Sequence, residues 1–209
     1  MYRRQIEIIG KKNQEILSQK KVLIVGAGGL GNIIGASIGC IGLKKIYIID
    51  FDEIESHNLH RQFYFEKCDI GESKVIMLSE KLKKRCNCDV VGINKKFEIN
   101  LDIDIDLIFD ATDNFEVRYE IDSFAKSKNI AWVYASVEEL RGQVGLFKKT
   151  PFDIFATKNH QVKGQLPPMV NLVGSIASMV GVKYLIGNKK EIFYYIDFNE
   201  ELEIKKFSF

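Results

Sequence analysis

The sequence is poor in the residue types that structural metal sites use most, with four cysteines and three histidines among 209 residues. Cys86 and Cys88 form a single C-x-C pair, and a structural zinc site needs a second pair of ligands that the other cysteines do not supply. We therefore expect no structural zinc. Cys40 falls within an apolar stretch and is expected in the core, and Cys68 is expected in a loop.

The sequence also lacks a strong charge of either sign and a long unbroken apolar run. Thirty basic residues face 28 acidic ones, for a formal net charge of +2, which does not favour binding to nucleic acid or to an anionic membrane. Gly, Lys or Asn interrupts each apolar stretch, so we expect none to span a bilayer. The first residues show no signal peptide, and we expect a cytoplasmic protein.

Proline is scarce, and its three occurrences all lie in one segment, residues 149–168. This segment also lacks apolar periodicity, which predicts a long, mobile loop of the kind that is often functional. The length of the chain fits one sizeable α/β domain over residues 1–209. Residues 1–20 carry isolated apolar positions among charges and are expected to form a helical N-terminal arm.

Short apolar runs alternate with helical patterns over the first two-thirds of the chain. This alternation predicts an α/β fold with a Rossmann-like, mostly parallel, doubly wound sheet. Later strands mostly lack intervening helices, so we expect an antiparallel C-terminal extension. The predicted strands are 21–25, 45–50, 90–93, 106–110, 131–135, 143–148, 191–198 and 201–207, and the main helices are 30–41, 73–85, 117–128 and 172–186.

A glycine-rich turn between the first strand and the first long helix reads Gly-Ala-Gly-Gly-Leu-Gly and matches G-x-G-x-x-G. Such glycines let the backbone approach a phosphate, and the helix N-terminus supplies free N–H groups and partial positive charge. Asp50 ends the next strand, where an acid can bind ribose hydroxyls. The pattern predicts a nucleotide site and fits NAD as well as ATP. The residues predicted to bind the nucleotide are Gly26, Gly28, Gly29, Gly31 and Asp50.

A polar and basic segment after the second strand favours ATP over NAD. Negative charge builds on the phosphates as pyrophosphate leaves in a nucleotidyl transfer, and fixed cations stabilise it. Arginine offers bidentate contacts and lysine a point charge, and a dehydrogenase needs no such cluster. The predicted contacts to the nucleotide in this segment are Asp52, Asn58, Arg61, Gln62 and Lys74.

A second acidic element, Asp110-Ala111-Thr112-Asp113-Asn114, follows the fourth predicted strand. Ligands of open α/β sheets gather beyond the carboxyl ends of the strands, and a carboxylate there can hold a Mg²⁺ ion that bridges phosphate oxygens. Asp113 is therefore the predicted Mg²⁺ ligand, with Asn114 beside the nucleotide. Asp110 either belongs to the site or caps the following helix.

Taken together, these motifs resemble the ThiF/MoeB/HesA family, bacterial relatives of the ubiquitin-activating enzyme. The resemblance covers nearly the whole chain, and the compact sequence looks most like ThiF-type proteins of thiamine biosynthesis. It implies an ATP-dependent adenylyltransferase that activates the C-terminal Gly-Gly carboxylate of a ubiquitin-like sulfur carrier, ThiS-like or MoaD-like, and releases pyrophosphate. The matching segments are residues 2–5, 26–31, 50–52, 58–62, 71–74, 110–114 and 141–143.

The resemblance also implies roles for individual residues. Asp50 would hold the ribose, and Asn58 would join the contacts to the triphosphate. Arg4 matches an arginine that, in this family, reaches into the ATP site of the partner subunit, which implies a homodimer. The residues expected to be catalytic are Arg4, Arg61, Lys74 and Asp113, the last through Mg²⁺.

The chain departs from many relatives in its cysteines, because it has neither zinc-binding C-x-x-C pair nor a cysteine in residues 157–166 of the crossover loop. We therefore predict adenylation without a covalent cysteine step on this loop, and we expect His160 to be a surface residue. Two other interpretations stay open: a dehydratase-like adenylation of threonylcarbamoyladenosine in tRNA, and a non-catalytic nucleotide-binding module.

Overall fold

A computed structural model gives the fold and describes residues 1–155 and 164–209. Short 3₁₀ turns occur at Ser56–Asn58, Lys67–Asp69 and Phe152–Phe155. The helices are α1 (Arg3–Ile9), α2 (Lys11–Leu17), α3 (Gly29–Gly39), α4 (Lys74–Arg85), α5 (Phe115–Ser127) and α6 (Pro167–Leu185), and the strands are β1 (Lys21–Val25), β2 (Lys45–Asp50), β3 (Asp89–Asn94), β4 (Leu107–Asp110), β5 (Ala131–Glu138), β6 (Arg141–Phe147), β7 (Ile192–Asp197) and β8 (Glu203–Ser208).

The strands form one eight-stranded sheet in the order β3-β2-β1-β4-β5-β6-β7-β8. The pairs from β3 to β5 are parallel, and those from β5 to β8 are antiparallel. The predicted fold class is therefore confirmed. After β3 the chain returns to the other side of β1, so the strand order reverses between β1 and β4, which is where open α/β sheets bind ligands.

The central strands β1 and β4 are buried on both faces of the sheet, and successive side chains of a strand point to opposite sides. Val22 and Ile24 of β1 pack into the core that α3, α4 and α6 cover. Leu23 and Val25 pack into a second core with residues of α5. This two-sided burial explains why β1 reads as a continuous apolar run rather than an alternating one.

Helix α6 packs against α3 and the centre of the sheet. Gly181 permits this approach, because a Cβ atom there would lie 2.3 Å from Cζ of Phe109. By length and composition alone α6 could cross a membrane, contrary to the sequence-based expectation, but half of its most apolar window is buried inside the fold. A core helix passes the same test, so this observation is weak evidence for a membrane span.

The structure corrects one boundary of the predicted loop 149–168. Pro167 and Pro168 form the first turn of α6, where proline is tolerated because the first N–H groups of a helix have no intrahelical partner. Helix α6 therefore begins before residue 172, and the predicted loop is too long at this end. Residues 156–163, including His160, lie outside the described residues, so the expected mobility of the loop stays a prediction.

Candidate functional site

The carboxyl ends of β1, β2 and β4 meet at a cavity of about 420 Å³. The structure brings most of the predicted site residues to this cavity, although they come from three separate segments of the chain. Gly31, Asn58 and Arg4 are not among the lining residues. The predicted residues that line the cavity are Gly26, Gly28, Gly29, Asp50, Asp52, Arg61, Gln62, Lys74, Asp113 and Asn114.

The turn between β1 and α3 needs glycine at both ends. Gly26 has a φ of +102°, and a Cβ atom there would lie 2.7 Å from the carbonyl oxygen of Ala111. A Cβ atom on Gly31 would lie 2.0 Å from the carbonyl oxygen of Gly26. Gly31 therefore lets α3 pack against the turn, while Gly28 and Gly29 at the start of the helix face the cavity.

Asp50 connects the glycine turn to the loop after β2. Its Oδ2 accepts a hydrogen bond from the backbone N–H of Ala27 at 2.6 Å, and its Oδ1 accepts one from that of Asp52 at 2.7 Å. Burial raises the pKa of the Asp50 carboxyl group, against the effect of these two N–H donors. Each carboxylate oxygen keeps a second lone pair, so the predicted contact with ribose remains compatible with this geometry.

Lys74 opens α4 beside the cavity and pairs with Asp52. The Lys74 residue is only 7% exposed, and its Nζ donates to Oδ2 of Asp52 at 2.8 Å. A cation in the first turn of a helix is unfavourable because the helix dipole is positive there. Asp52 offsets this cost, and a ligand phosphate would add a second negative partner for the same ammonium group.

Arg61 spans from the loop after β2 to the residues that precede α6. Its Nε donates to Oε1 of Gln165 at 2.8 Å, and its Nη1 donates to the carbonyl oxygen of His57 at 3.2 Å. Burial lowers the pKa of Arg61, and the charge of Asp113 partly opposes that shift. The guanidinium group therefore lies in the field of the predicted Mg²⁺ ligand, at the edge of the cavity.

Gln62 and Asn58 are both buried but lie in different settings. Gln62 lines the cavity, and its Oε1 atom has no hydrogen-bond partner among the described residues. A buried acceptor without a partner calls for a donor from a ligand or water. Asn58 instead accepts a hydrogen bond from the backbone N–H of Glu55 at 3.0 Å and closes a 3₁₀ turn. The structure does not bring Asn58 to the cavity.

The loop after β4 is built on a buried ion pair. Oδ2 of Asp110 accepts a hydrogen bond from Nε of Arg118 at 3.1 Å, and Oδ1 accepts one from Oγ1 of Thr112 at 2.6 Å. Asp110 does not cap α5: Asn114 does so, with its side chain accepting a hydrogen bond from the N–H of Glu116 at 2.8 Å. The capping alternative for Asp110 is therefore wrong.

Arg118 is the main site residue that sequence reasoning missed. It is 2% exposed, lies between the rings of Phe115 and Tyr134, and donates from Nη2 to the carbonyl oxygen of Thr112 at 2.6 Å. The sequence alone could not reveal the ion pair between Arg118 and Asp110. A single arginine on a helix with many charged residues is normally interpreted as a surface residue. Lys95 and Lys96, which follow β3, also line the cavity and were not predicted as site residues from the sequence.

Comparison with known proteins identifies the family. The model of the ThiF family matches residues 2–207. The chain belongs to the ThiF family. It is 31% identical over 207 residues to a probable molybdopterin-synthase adenylyltransferase of Porphyra purpurea, covering 88% of this chain and 52% of that protein. It is 29% identical over 153 residues to a sulfur carrier protein adenylyltransferase of Thermus thermophilus, covering 70% of this chain and 56% of that protein.

The chain therefore spans about half the length of the curated relatives it matches. Among solved structures, PaaA superposes with a TM-score of 0.85 at 22% identity, over 99% of this chain and 72% of PaaA. E. coli MccB in the structure with succinimide gives a TM-score of 0.81 at 20% identity, over 99% of this chain and 71% of MccB. At these identities the two structures support the fold of this ThiF-family chain.

Two expectations of the ThiF-family resemblance concern residues at the margin of the site. Asp113 is exposed at the cavity, and the described residues contain no cluster of three or more His, Cys, Asp or Glu that could hold a metal. One carboxylate still suits Mg²⁺, which keeps several waters and takes phosphate oxygens as further ligands. Arg4 is exposed on α1 and does not line the cavity of its own chain.

Proposed function

We propose that this ThiF-family protein is an ATP-dependent adenylyltransferase that activates the C-terminal carboxylate of a ubiquitin-like sulfur carrier protein. The observation that carries the proposal is the cavity, where a glycine turn and helix N-terminus stand beside Arg61, Lys74 and Asp113. The similar proteins of Porphyra purpurea and Thermus thermophilus are described as adenylyltransferases. E. coli MccB, which shares the fold, has been crystallised with ATP.

The residues present fit an ATP molecule. Gly28 and Gly29 open α3 at the cavity, and a helix N-terminus binds phosphate through its free N–H groups. The Oε1 atom of buried Gln62, which has no partner in the part of the chain that the structure describes, fits a hydrogen-bond donor of the nucleotide or of its bound water. Mg²⁺ would be held by Asp113 together with phosphate oxygens, and it would neutralise charge on the phosphates.

The reaction asks for positioning and electrostatic stabilisation. The carrier carboxylate is already ionised at neutral pH, so no general base is needed. One of its oxygens forms a bond to the α-phosphorus, the bond from that phosphorus to the β-phosphate bridging oxygen breaks, and pyrophosphate leaves with the electron pair. Arg61 and Lys74 stabilise the charge that accumulates on the phosphates during this displacement.

We further propose that the carrier is ThiS-like, with a MoaD-like carrier as the second candidate. Both end in the Gly-Gly that the family resemblance implies. The test is carrier-dependent ATP–pyrophosphate exchange with each purified carrier, and the matched control is the same carrier without its last glycine. Exchange with an intact carrier and not with its truncated form is expected. Exchange that is independent of the carrier, or absent with every intact carrier, contradicts the proposal.

A homodimer with shared sites is part of the same proposal. Arg4 is exposed and does not line the cavity of its own chain, which is compatible with a contact to the site of a second copy. Arg4→Ala and Asp113→Ala should each be inactive alone. Mixed one to one and allowed to exchange subunits, they should recover about a quarter of wild-type exchange activity, because each mixed dimer keeps one intact site. No recovery despite proven subunit exchange would remove Arg4 from the partner's site.

A further inference from the structure

Two cysteines far apart in sequence meet at the ends of two helices that serve the cavity. Helices α3 and α4 begin at Gly29 and Lys74, which line the cavity. The residues that follow their last turns are Cys40 and Cys86. The two Sγ atoms lie 2.9 Å apart, and both thiols are free. The pair therefore stands at the opposite ends of these helices from the nucleotide site, and the proposed adenylation does not use it.

The packing around the pair keeps the two sulfur atoms together. Gly39, the last residue of α3, has no side chain, and a Cβ atom there would lie 2.8 Å from Sγ of Cys86. Cys86 itself is only 6% exposed. The two helix ends thus approach closely enough for the sulfur atoms to touch, and a bond between them at about 2.05 Å requires a movement of less than about 1 Å.

The two thiols differ in their surroundings. Cys40 is partly exposed, and a hydrogen bond from the Arg85 side chain to its sulfur raises the pKa of Arg85. Cys40 is the one of the two thiols that solvent can reach, because Cys86 is buried. Burial and the neighbouring Cys40 raise the pKa of the Cys86 thiol to about 12. An oxidant from solvent therefore meets Cys40 first, with the neutral Cys86 thiol in contact behind it.

We propose that Cys40 and Cys86 form an oxidisable thiol pair that closes to an intramolecular disulfide with hydrogen peroxide. The Cys40 thiolate attacks one peroxide oxygen, the O–O bond breaks, and hydroxide leaves and takes up the proton that Cys40 released. Sulfur of Cys86 then attacks the resulting sulfenic acid, the S–S bond forms, and water leaves with the proton of Cys86. Two thiols lose two electrons, and peroxide is reduced to two waters.

Cys88 is the natural competitor because it lies in the same region. Its sulfur contacts the carbonyl oxygen of Gly39 at 3.3 Å, and burial raises the pKa of its thiol to about 11. The Cys88 sulfur is engaged with this carbonyl oxygen, and it is the sulfur of Cys86 that contacts the sulfur of Cys40 at 2.9 Å, so Cys86 is the better placed resolving thiol. The experiment therefore has to separate a Cys40–Cys86 bond from one that involves Cys88.

The first test is peptide mapping of the full chain after treatment with hydrogen peroxide, with free thiols blocked before digestion. A Cys40–Cys86 cross-linked peptide that disappears on reduction with dithiothreitol is the expected result. This measurement uses the wild-type protein, so it does not depend on the folding of any variant. A cross-link through Cys88, disulfide-linked dimers, or overoxidation of Cys40 without any cross-link would overturn the proposal.

Two matched double variants give the second test. Cys68→Ser with Cys88→Ser keeps the proposed pair and should lose two hydrogens in intact mass on peroxide treatment. Cys40→Ser with Cys68→Ser keeps Cys86 and Cys88 and should show no such loss. The reverse pattern in two variants with native circular dichroism would contradict the assignment. The disulfide closes a loop of 46 residues, so the oxidised pair should also raise Tm by several degrees; a fall in Tm would show that the bond does not fit the native helix ends.

Discussion

Two loops at the mouth of the cavity carry the same kind of ion pair in opposite settings. In the β2 loop, residues 50–74, Lys74 pairs with Asp52, whose side chain is 50% exposed. In the β4 loop, residues 110–118, Arg118 pairs with Asp110, and both side chains are almost fully buried. A phosphate can reach the first pair and share its cation. The second pair is buried beside the rings of Phe115 and Tyr134, so it holds the loop that presents Asp113 and stabilises the fold.

The contrast between the two loops predicts the largest effect on activity at Asp113, which is exposed in the β4 loop. Asp113→Ala should abolish carrier-dependent ATP–pyrophosphate exchange, because the predicted Mg²⁺ ligand is lost while the buried pair beneath it remains. Circular dichroism and Tm should stay close to wild type. Asp102→Ala, which removes another exposed carboxylate, is the control and should keep full exchange. Near-wild-type exchange by Asp113→Ala would show that the metal assignment is wrong.

Lys74 tests the accessible pair of the β2 loop. Lys74→Ala should lower the exchange rate by roughly 10²–10³-fold, the loss typical for one fixed group that stabilises developing charge. The matched control is Lys81→Ala on the same helix, where the lysine pairs with Asp69 away from the cavity. Equal losses in the two variants would mean that Lys74 acts through the stability of α4 and not through the ligand.

Arg118 tests the buried pair of the β4 loop by its effect on folding. Arg118→Ala leaves Asp110 buried without its partner, and the expected cost in the free energy of unfolding is about 3–5 kcal/mol. For comparison, Lys45 and Asp89 form a pair with side chains 27% and 57% exposed, and Lys45→Ala should lower the free energy of unfolding far less, because exposed ion pairs contribute little to stability. Urea denaturation of both variants measures the difference. Similar costs would show that burial does not distinguish the two kinds of pair.

Gln62 gives the smallest expected effect and separates binding from folding. Gln62→Leu removes a buried acceptor that has no partner among residues 1–155 and 164–209, so the stability of the nucleotide-free protein should be unchanged or slightly higher. KM for ATP should rise roughly three- to tenfold if a ligand donor normally pairs with this oxygen. Gln19→Leu, at an exposed position, should change neither quantity. A marked loss of stability in Gln62→Leu with unchanged KM would reassign Gln62 to the core.

The sequence predicted the parallel half of the sheet closely because its signals are local. The run 21–25 ends in glycines and the run 45–50 ends in an acid, and β1 and β2 have these same bounds. The start of α6 was missed because two adjacent prolines also suit a loop. Only the fold decides whether a residue such as Pro167 enters a helix at its first turn.

The site was predictable where a motif fixes a residue at the end of a strand, as for Asp50 and the glycine turn. The positions of the other site residues depend on packing between segments that are far apart in the sequence. Arg118 became visible only when α5 was placed against β5, and Asn58 turned out to close its own 3₁₀ turn instead of facing the cavity. Neither outcome follows from spacing along the chain.

The glycine turn also bears on the thermodynamics of ligand binding. The backbone leaves no room for a Cβ atom on Gly26 beside Ala111 or on Gly31 beside Gly26, and Asp50 holds the turn through the N–H of Ala27. The phosphate-facing backbone is therefore preorganised, and little conformational entropy is left for a nucleotide to remove there. Ordering on binding then falls mainly on long side chains such as Arg61, whose present partner Gln165 belongs to a different segment of the chain.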